Sequence, residues 1–345
     1  MAKITISLSA QPRGSGRGFD FSYQRLVALF KRAALVSAPL AAMGLSGCGP
    51  CAGPTDQIFL IRNPDAEMQM LIDACRAPVE PDCTKLCQAV SGGGYFAHCE
   101  LHQDSNGYVL IHVGFAQSCS GGRRPQRLAL TAVAGSVASG ARSDREQAGA
   151  FFAGQFQLEA ASVPAFATLR RELAWFDAPA ALVRAAAAAE RDEVVHAQLT
   201  AGLARRHGVA VALPAVAPTP ARSLADMTDE NVVEGCVREA YGALVATVQA
   251  RDAGDPVVRA VMARIADDET RHAALAFAVH AWAMTRLGPA AAARMEERRR
   301  QAVAELEADA GDGGGWTSAV GAIAGLPGPG AARALLGELR SHLWV

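Results

Sequence analysis

The chain has 345 residues, half of them hydrophobic and 19% charged, with a formal net charge of −1. The length admits two domains and the composition a sizeable core. A balance this close to neutral offers no field to steer the chain toward nucleic acid, so charge-driven nucleic-acid binding is excluded.

The N-terminal stretch is read first. Lys31 and Arg32 precede an apolar run, AALVSAPLAAMGL, at 33–45. It is short for a bilayer span but suits the apolar core of a signal peptide. The run ends in LSGC, 45–48, which resembles the lipobox of bacterial lipoproteins. That resemblance implies that residues 1–47 are a removed signal peptide of lipoprotein type and that Cys48 carries lipid. The partner would then be a membrane, and the location the cell envelope, on the periplasmic side or at the outer membrane. A short buried helix followed by a loop is the competing reading.

Residues 48–125 form the next predicted unit. Seven of the eight cysteines fall between 48 and 119, and the eighth is Cys236. Such density points to an oxidising compartment and a disulfide framework. With Cys48 set aside, the expectation is three disulfides among Cys51, Cys75, Cys83, Cys87, Cys99 and Cys119, in a pairing that sequence does not choose. A zinc site using His98, Cys99 or His102 competes weakly, because the single C-x-x-C is Cys48–Cys51. QIFLIR (57–62) and GYVLIHVGF (107–115) read as strands, and GGGYFAHCELH (92–102) supplies a third after a glycine turn. Residues 126–143 lie in a stretch with glycine and serine at both ends and read as a linker.

From 144 onward alanine and leucine dominate and punctuation is sparse. Four long helices are predicted over about 144–176, 179–207, 226–252 and 255–286. Asp255 before Pro256 is an N-cap followed by proline at the first helical position. Two short hinges and one long connection suit a four-helix bundle over 144–286. Further helices are expected at about 289–309 and 330–343, within a C-terminal region 287–345. The run EERRR at 296–300 reads as a solvated helix face.

Two of the four helices carry Glu-x-x-His: Glu193 with His196, and Glu269 with His272. Residues three apart project from one helical face, so both groups can reach the same point. Both pairs sit on rows that should face a core. On the first helix the inward row contains Glu159, between Phe156 and Val163; on the third it contains Glu239, between Cys236 and Ala243. Glu234 competes with Glu239, but five residues rotate it about 140° off the inward row of an α-helix. Glu190 is read as a salt-bridged or supporting group, Cys236 as a small hydrophobe, and Tyr241 as lying off the ligand face. Four glutamates buried together would repel, and two divalent cations would remove that penalty. A Glu from each of two helices plus Glu-x-x-His from each of the others is a known dimetal pattern.

QLEAAS (157–162), DEVVH (192–196), VREAY (237–241) and DETRH (268–272) together resemble the ferritin-like superfamily of four-helix dimetal carboxylate proteins. In detail the chain is similar to bacterial ferritin-like domain proteins. The resemblance covers residues 145–286 and implies a ferritin-like four-helix bundle there; with the reading of the other segments, the expected fold is mainly α, that bundle with extra C-terminal helices, preceded by a small cysteine-rich, β-containing domain. It also implies a dinuclear centre, of two Fe ions or Mn, which the inward rows assign to Glu159, Glu193, His196, Glu239, Glu269 and His272. The function expected is oxidation of iron, or activation of O2 or peroxide, at the cell envelope. Metal binding or sequestration without turnover, and a structural helical-bundle lipoprotein, remain open alternatives.

Overall fold

The computed structural model describes residues 23–36, 55–61, 64–76, 83, 85–86, 96–103, 108–115, 123–125, 128–129, 143–216, 218–311 and 318–344. The fold is mainly helical. Strands β1 (Thr55–Ile61), β2 (Phe96–Gln103) and β3 (Val109–Phe115) form an antiparallel sheet in the order β1-β3-β2. β3 is central because both partners run antiparallel to it, with Phe59 and Leu101 each opposite Ile111. One face of the sheet is covered by a helix that the sequence reading lacked, α2 (Ala66–Cys75), which Asp65 caps by accepting from the Met68 N–H at 2.8 Å. Ile72, Leu86, Val109 and Ile111 are the buried centre of this small cluster. Cys75 and Cys83 are joined by a disulfide there. Cys48, Cys51, Cys87 and Cys119 lie outside the described residues, as does the side chain of Cys99.

The helix α1 (Tyr23–Val36) falls within the segment expected to be a signal peptide. It packs on the helical body through Leu26, Phe30, Ala33 and Ala34, all nearly inaccessible to solvent. Its first residue, Tyr23, donates its hydroxyl to Asp267. No helix among the described residues is long and apolar enough to cross a membrane.

The main body begins with α3 (Asp144–Trp175) and α4 (Ala180–Arg206). Ser143 and Glu146 form a reciprocal capping box at the start of α3, which satisfies two otherwise orphaned N–H groups. Both helices end in a left-handed residue: Asp177 after α3 (φ 52°) and Gly208 after α4 (φ 84°). At each end the following N–H reaches back to the third-last helical carbonyl, Ala178 to Leu173 at 2.8 Å and Val209 to Ala204 at 3.0 Å. The three-residue hinge 253–255 turns α6 (Ala240–Asp252) into α7 (Pro256–Met284), with Asp255 and Pro256 in the cap positions that the sequence indicated. Outside these lie α8 (Pro289–Gly311), α9 (Ser318–Ala324) and α10 (Pro329–His342); α9 was not expected. Within the expected linker, β4 (Leu128–Ala129) pairs with β5 (Ala215–Val216).

The expected third helix, 226–252, is not a regular α-helix. It begins as α5 (Leu224–Glu230), widens to i→i+5 hydrogen bonding over Asn231–Glu239, and resumes as α6. Such wide turns are rare and concentrate at functional sites.

The bundle core is layered. Phe151, Phe152, Leu203, Val258, Met262 and Ile265 fill one end. Phe166, Leu169, Leu173, Leu182, Leu275 and Val279 fill the other. Between these apolar layers lies a polar one, because Glu159, Glu193 and Glu269 each occupy a core-facing position between apolar residues of the same helix.

Candidate metal centre

The polar layer contains Glu159 from α3, Glu193 and His196 from α4, Glu239 from the end of the wide segment, and Glu269 and His272 from α7. None of the six is more than 2% exposed. Glu159, Glu193, His196 and Glu269 each present a ligand atom within 4.8 Å of the others, a group that could hold a metal ion. His196 Nδ1 lies 3.2 Å from Glu269 Oε1, 3.5 Å from Glu193 Oε2 and 3.7 Å from Glu159 Oε2. His272 approaches from the other side, its Nδ1 3.2 Å from Glu193 Oε1 and 3.5 Å from Glu269 Oε1. Glu193 and Glu269 therefore stand between two imidazoles whose ring centres are 5.8 Å apart.

The α3 helix carries Glu159 into this group while running unbroken through Pro164. Glu190 pairs with Arg170 at 2.8 Å on the bundle's outer side and takes no part. Tyr241 is buried in an apolar cluster with its hydroxyl unpartnered. Cys236 is a buried free thiol.

The wide segment changes the reason for preferring Glu239 over Glu234. In i→i+5 turns, residues five apart come round to nearly the same face, so the rotation expected of an α-helix does not separate them. They differ in their partners. Glu234 lies 3.5 Å from the Arg238 guanidinium and accepts from the Arg124 N–H at 3.4 Å. Both Glu239 oxygens lack any hydrogen bond.

The outer nitrogen of each imidazole faces a carboxylate, and only that of His196 is hydrogen-bonded to it. His196 Nε2 lies 3.2 Å from Asp268 Oδ2, and His272 Nε2 faces Asp192 Oδ2 at 3.5 Å. Each aspartate precedes a Glu-x-x-His on the opposite helix, so the pairings cross. Asp268 is itself anchored by Arg264 at 2.7 Å and by Arg271. A carboxylate hydrogen-bonded to the outer nitrogen, as Asp268 is to His196, fixes the ring's tautomer and orientation, leaving Nδ1 for a ligand. These aspartates were missed in the sequence reading, although the repeated D-E-x-x-H carried the signal. Arg123, fully buried beside Glu230 and Asn231, was missed as well, and nothing in its flanking sequence marks it.

The electrostatics follow from burial and crowding. Burial pushes the Glu159 carboxyl well above its usual range, and the charge of Glu193 adds to this. Burial likewise pushes Glu239 up to about 8, against the opposing charges of Arg123 and His272. Burial alone would lower both imidazoles. Contacts with Glu159, Glu193 and Glu269 override it at His196, and Glu269, Asp192 and Glu193 override it at His272, so both are held above the ordinary range. Burial would raise Glu269, but the two imidazoles beside it hold it well below the carboxylate range. The metal-free site thus balances imidazolium against carboxylate and keeps Glu159 and Glu239 protonated to higher pH.

Hydrogen bonding does not satisfy this layer. Both oxygens of Glu193, Glu239 and Glu269, Oε2 of Glu159, Nδ1 of both histidines and Nε2 of His272 have no hydrogen-bond partner. Each such buried group costs on the order of 1–3 kcal/mol, more when charged. Oxygen and imidazole donors converging without partners fit a divalent transition-metal site of the Fe, Mn or Zn kind. No family model, curated protein or solved structure matches the chain.

Proposed function

We propose that the protein is a ferritin-like dimetal carboxylate protein that uses its buried layer to bind two metal ions, with iron as the leading candidate and Mn as the alternative. The observation that carries this reading is the orphaned set of carboxylate oxygens and imidazole Nδ1 atoms, all buried, facing one another across Glu193 and Glu269. Glu159 and His196 would hold one ion and Glu239 and His272 the other, with Glu193 and Glu269 shared. Two iron ions held there would supply redox chemistry toward O2 or peroxide. The chain's own residues exclude water by the apolar layers above and below, orient the His196 ring through Asp268, and hold protons on Glu159 and Glu239 until a cation displaces them.

Metal analysis of protein purified without chelators tests this, with two equivalents expected. Adding Fe(II) to metal-free protein and following O2 or peroxide consumption then separates turnover from sequestration, which binds two equivalents without consumption above free iron. A melting temperature indifferent to Fe(II) and Mn(II) under anaerobic conditions ends the metal reading.

A cell-envelope location with lipid on Cys48 is part of the same proposal. It is supported by the LSGC run and by a disulfide, which favours an oxidising compartment. Such processing would remove α1. The intact mass of envelope-purified protein distinguishes a chain starting at Cys48 from one that keeps Leu26 and Phe30 packed in place.

A further inference from the structure

Arg123 belongs to the chain before the bundle, yet its side chain is among the largest fully buried ones of the described residues. Its Nη1 donates to Asn231 Oδ1 at 3.1 Å, and its Nε lies 3.5 Å from Glu230 Oε1. The guanidinium is thus hydrogen-bonded to Asn231 and in ion-pair range of Glu230, whose oxygens accept from Arg222, at the joint where α5 gives way to the wide segment; its Nε and Nη2 have no hydrogen-bond partner. The next residue reinforces the grip, since the Arg124 N–H donates to Glu234 Oε2. Asn231 passes the contact onward, donating its Nδ2 to the Ala276 carbonyl of α7 at 2.9 Å. On its other side the guanidinium carbon stands 6.0 Å from the centre of the Phe166 ring, which in turn packs on His272 with centres 5.0 Å apart. Gly235 leaves the room: a Cβ there would come within 3.1 Å of Arg123 Nη1 and 2.5 Å of the Ala276 Cβ.

A wide turn gives up regular α-helical hydrogen bonding and depends on contacts from outside. Here the brace at its start is Arg123, and the residue at its end is Glu239. We propose that Arg123 is a positioning residue: it clamps the Asn231–Glu239 turn so that Glu239 faces His272, and so makes the second metal position depend on the segment preceding the bundle. The proposal rests on the dinuclear reading above. The first position, formed by Glu159, Glu193, His196 and Glu269, is built on α3, α4 and α7 and takes no residue from the wide turn, so the two positions should respond differently to the loss of the clamp.

Anaerobic Mn(II) titration of the full chain tests this, with the parent compared with Arg123→Lys, Arg123→Met and Asn231→Ala. Lysine keeps the cation but lacks the fork. Asn231→Ala removes the other half of the clamp and carries the test if the arginine variants fail to fold. The parent should bind two equivalents. The variants should keep the first unchanged and bind the second about 10–100-fold more weakly, the usual cost of losing a supporting contact. Amide hydrogen exchange of the metal-free proteins should quicken across 231–239 and stay unchanged across 156–165. Equal weakening of both equivalents would mean a general structural role and overturn the proposal. Tighter second binding by Arg123→Met would mean that the cation merely repels metal, with the same consequence. Unchanged binding and exchange would also overturn it. A parent that binds no Mn(II) or Fe(II) refutes the dinuclear reading instead, while the exchange comparison still decides whether the clamp exists.

Discussion

Glu239 is the most informative single residue. It is buried, has no hydrogen bond and is held at about 8 by burial. Without metal it is an uncompensated polar group, so Glu239→Leu should raise metal-free stability by about 1–3 kcal/mol, read from urea midpoints in chelator. With Fe(II) or Mn(II) present the order should reverse, because metal bound only to the folded state adds its binding energy to folding. A variant less stable than the parent in chelator would show that Glu239 is a packing residue. The pH dependence belongs to the same group of side chains. Glu159 and Glu239 have folded values above the ordinary 4.5, and His196 and His272 above 6.5. Folding thus favours their protonated forms. Their contribution is full below the unfolded values and is lost as pH rises toward and beyond 8. Glu269, held low, works in the opposite direction below 4.5. Metal-free protein should therefore melt lower at about pH 8.5 than at about pH 6.5, while metal affinity should rise over the same interval because fewer protons must leave. Calorimetry in two buffers of different ionisation enthalpy would count the protons released.

The element that matters most is the turn Asn231–Glu239. It is braced at one end by Arg123, and in its middle the Trp344 indole donates to the Cys236 carbonyl at 2.9 Å, so chain segments from both sides of the bundle hold it. Close approach of α7 requires a residue without a side chain at 235. Gly235→Ala should cost about 1–3 kcal/mol by forcing Ala276 and Arg123 aside. Gly154, inside α3 with open space where a Cβ would go, is the control: Gly154→Ala should stabilise by about 0.5–1 kcal/mol. Equal effects at the two positions in denaturant melts would mean that the turn is not tightly packed. The helix α1 makes a comparable case. Phe30 is buried against the body, and Phe30→Ala should cost about 3–5 kcal/mol in any form of the protein that retains this helix.

At the scale of the molecule, a polar layer lies between two apolar ones, and its solvation must come from a bound cation or from its own protons. Saturating metal should therefore act on the whole fold. At a hundredfold excess over Kd, one site adds about 2.7 kcal/mol to stability, visible as a higher melting temperature. The charged surface contributes differently: pairs such as Arg300 with Glu297 on α8 are exposed and add little.

The sequence determined the long helices of the bundle other than the third, and the face each presents, but not the short α2 and α9. Local rules govern these features: a 3.6-residue period, Asp255 as an N-cap, Glu and His three residues apart. It also placed the two Glu-x-x-His pairs and Glu159 on inward rows, because heptad phase depends on neighbours in the chain. The strands of the small sheet were legible, since β1 and β3 are rich in β-branched and aromatic residues, but their order was not. Three features came from the tertiary structure alone. The wide turn arises because contacts more than a hundred residues apart, Arg123 to Asn231 and Trp344 to Cys236, compensate a hydrogen-bond pattern that isolated helix propensity disfavours. The crossing of Asp192 to His272 and Asp268 to His196 depends on two helices meeting at one height. The burial of Arg123 depends on where the chain before the bundle returns to it, and no periodicity in a sequence encodes the return of a distant segment.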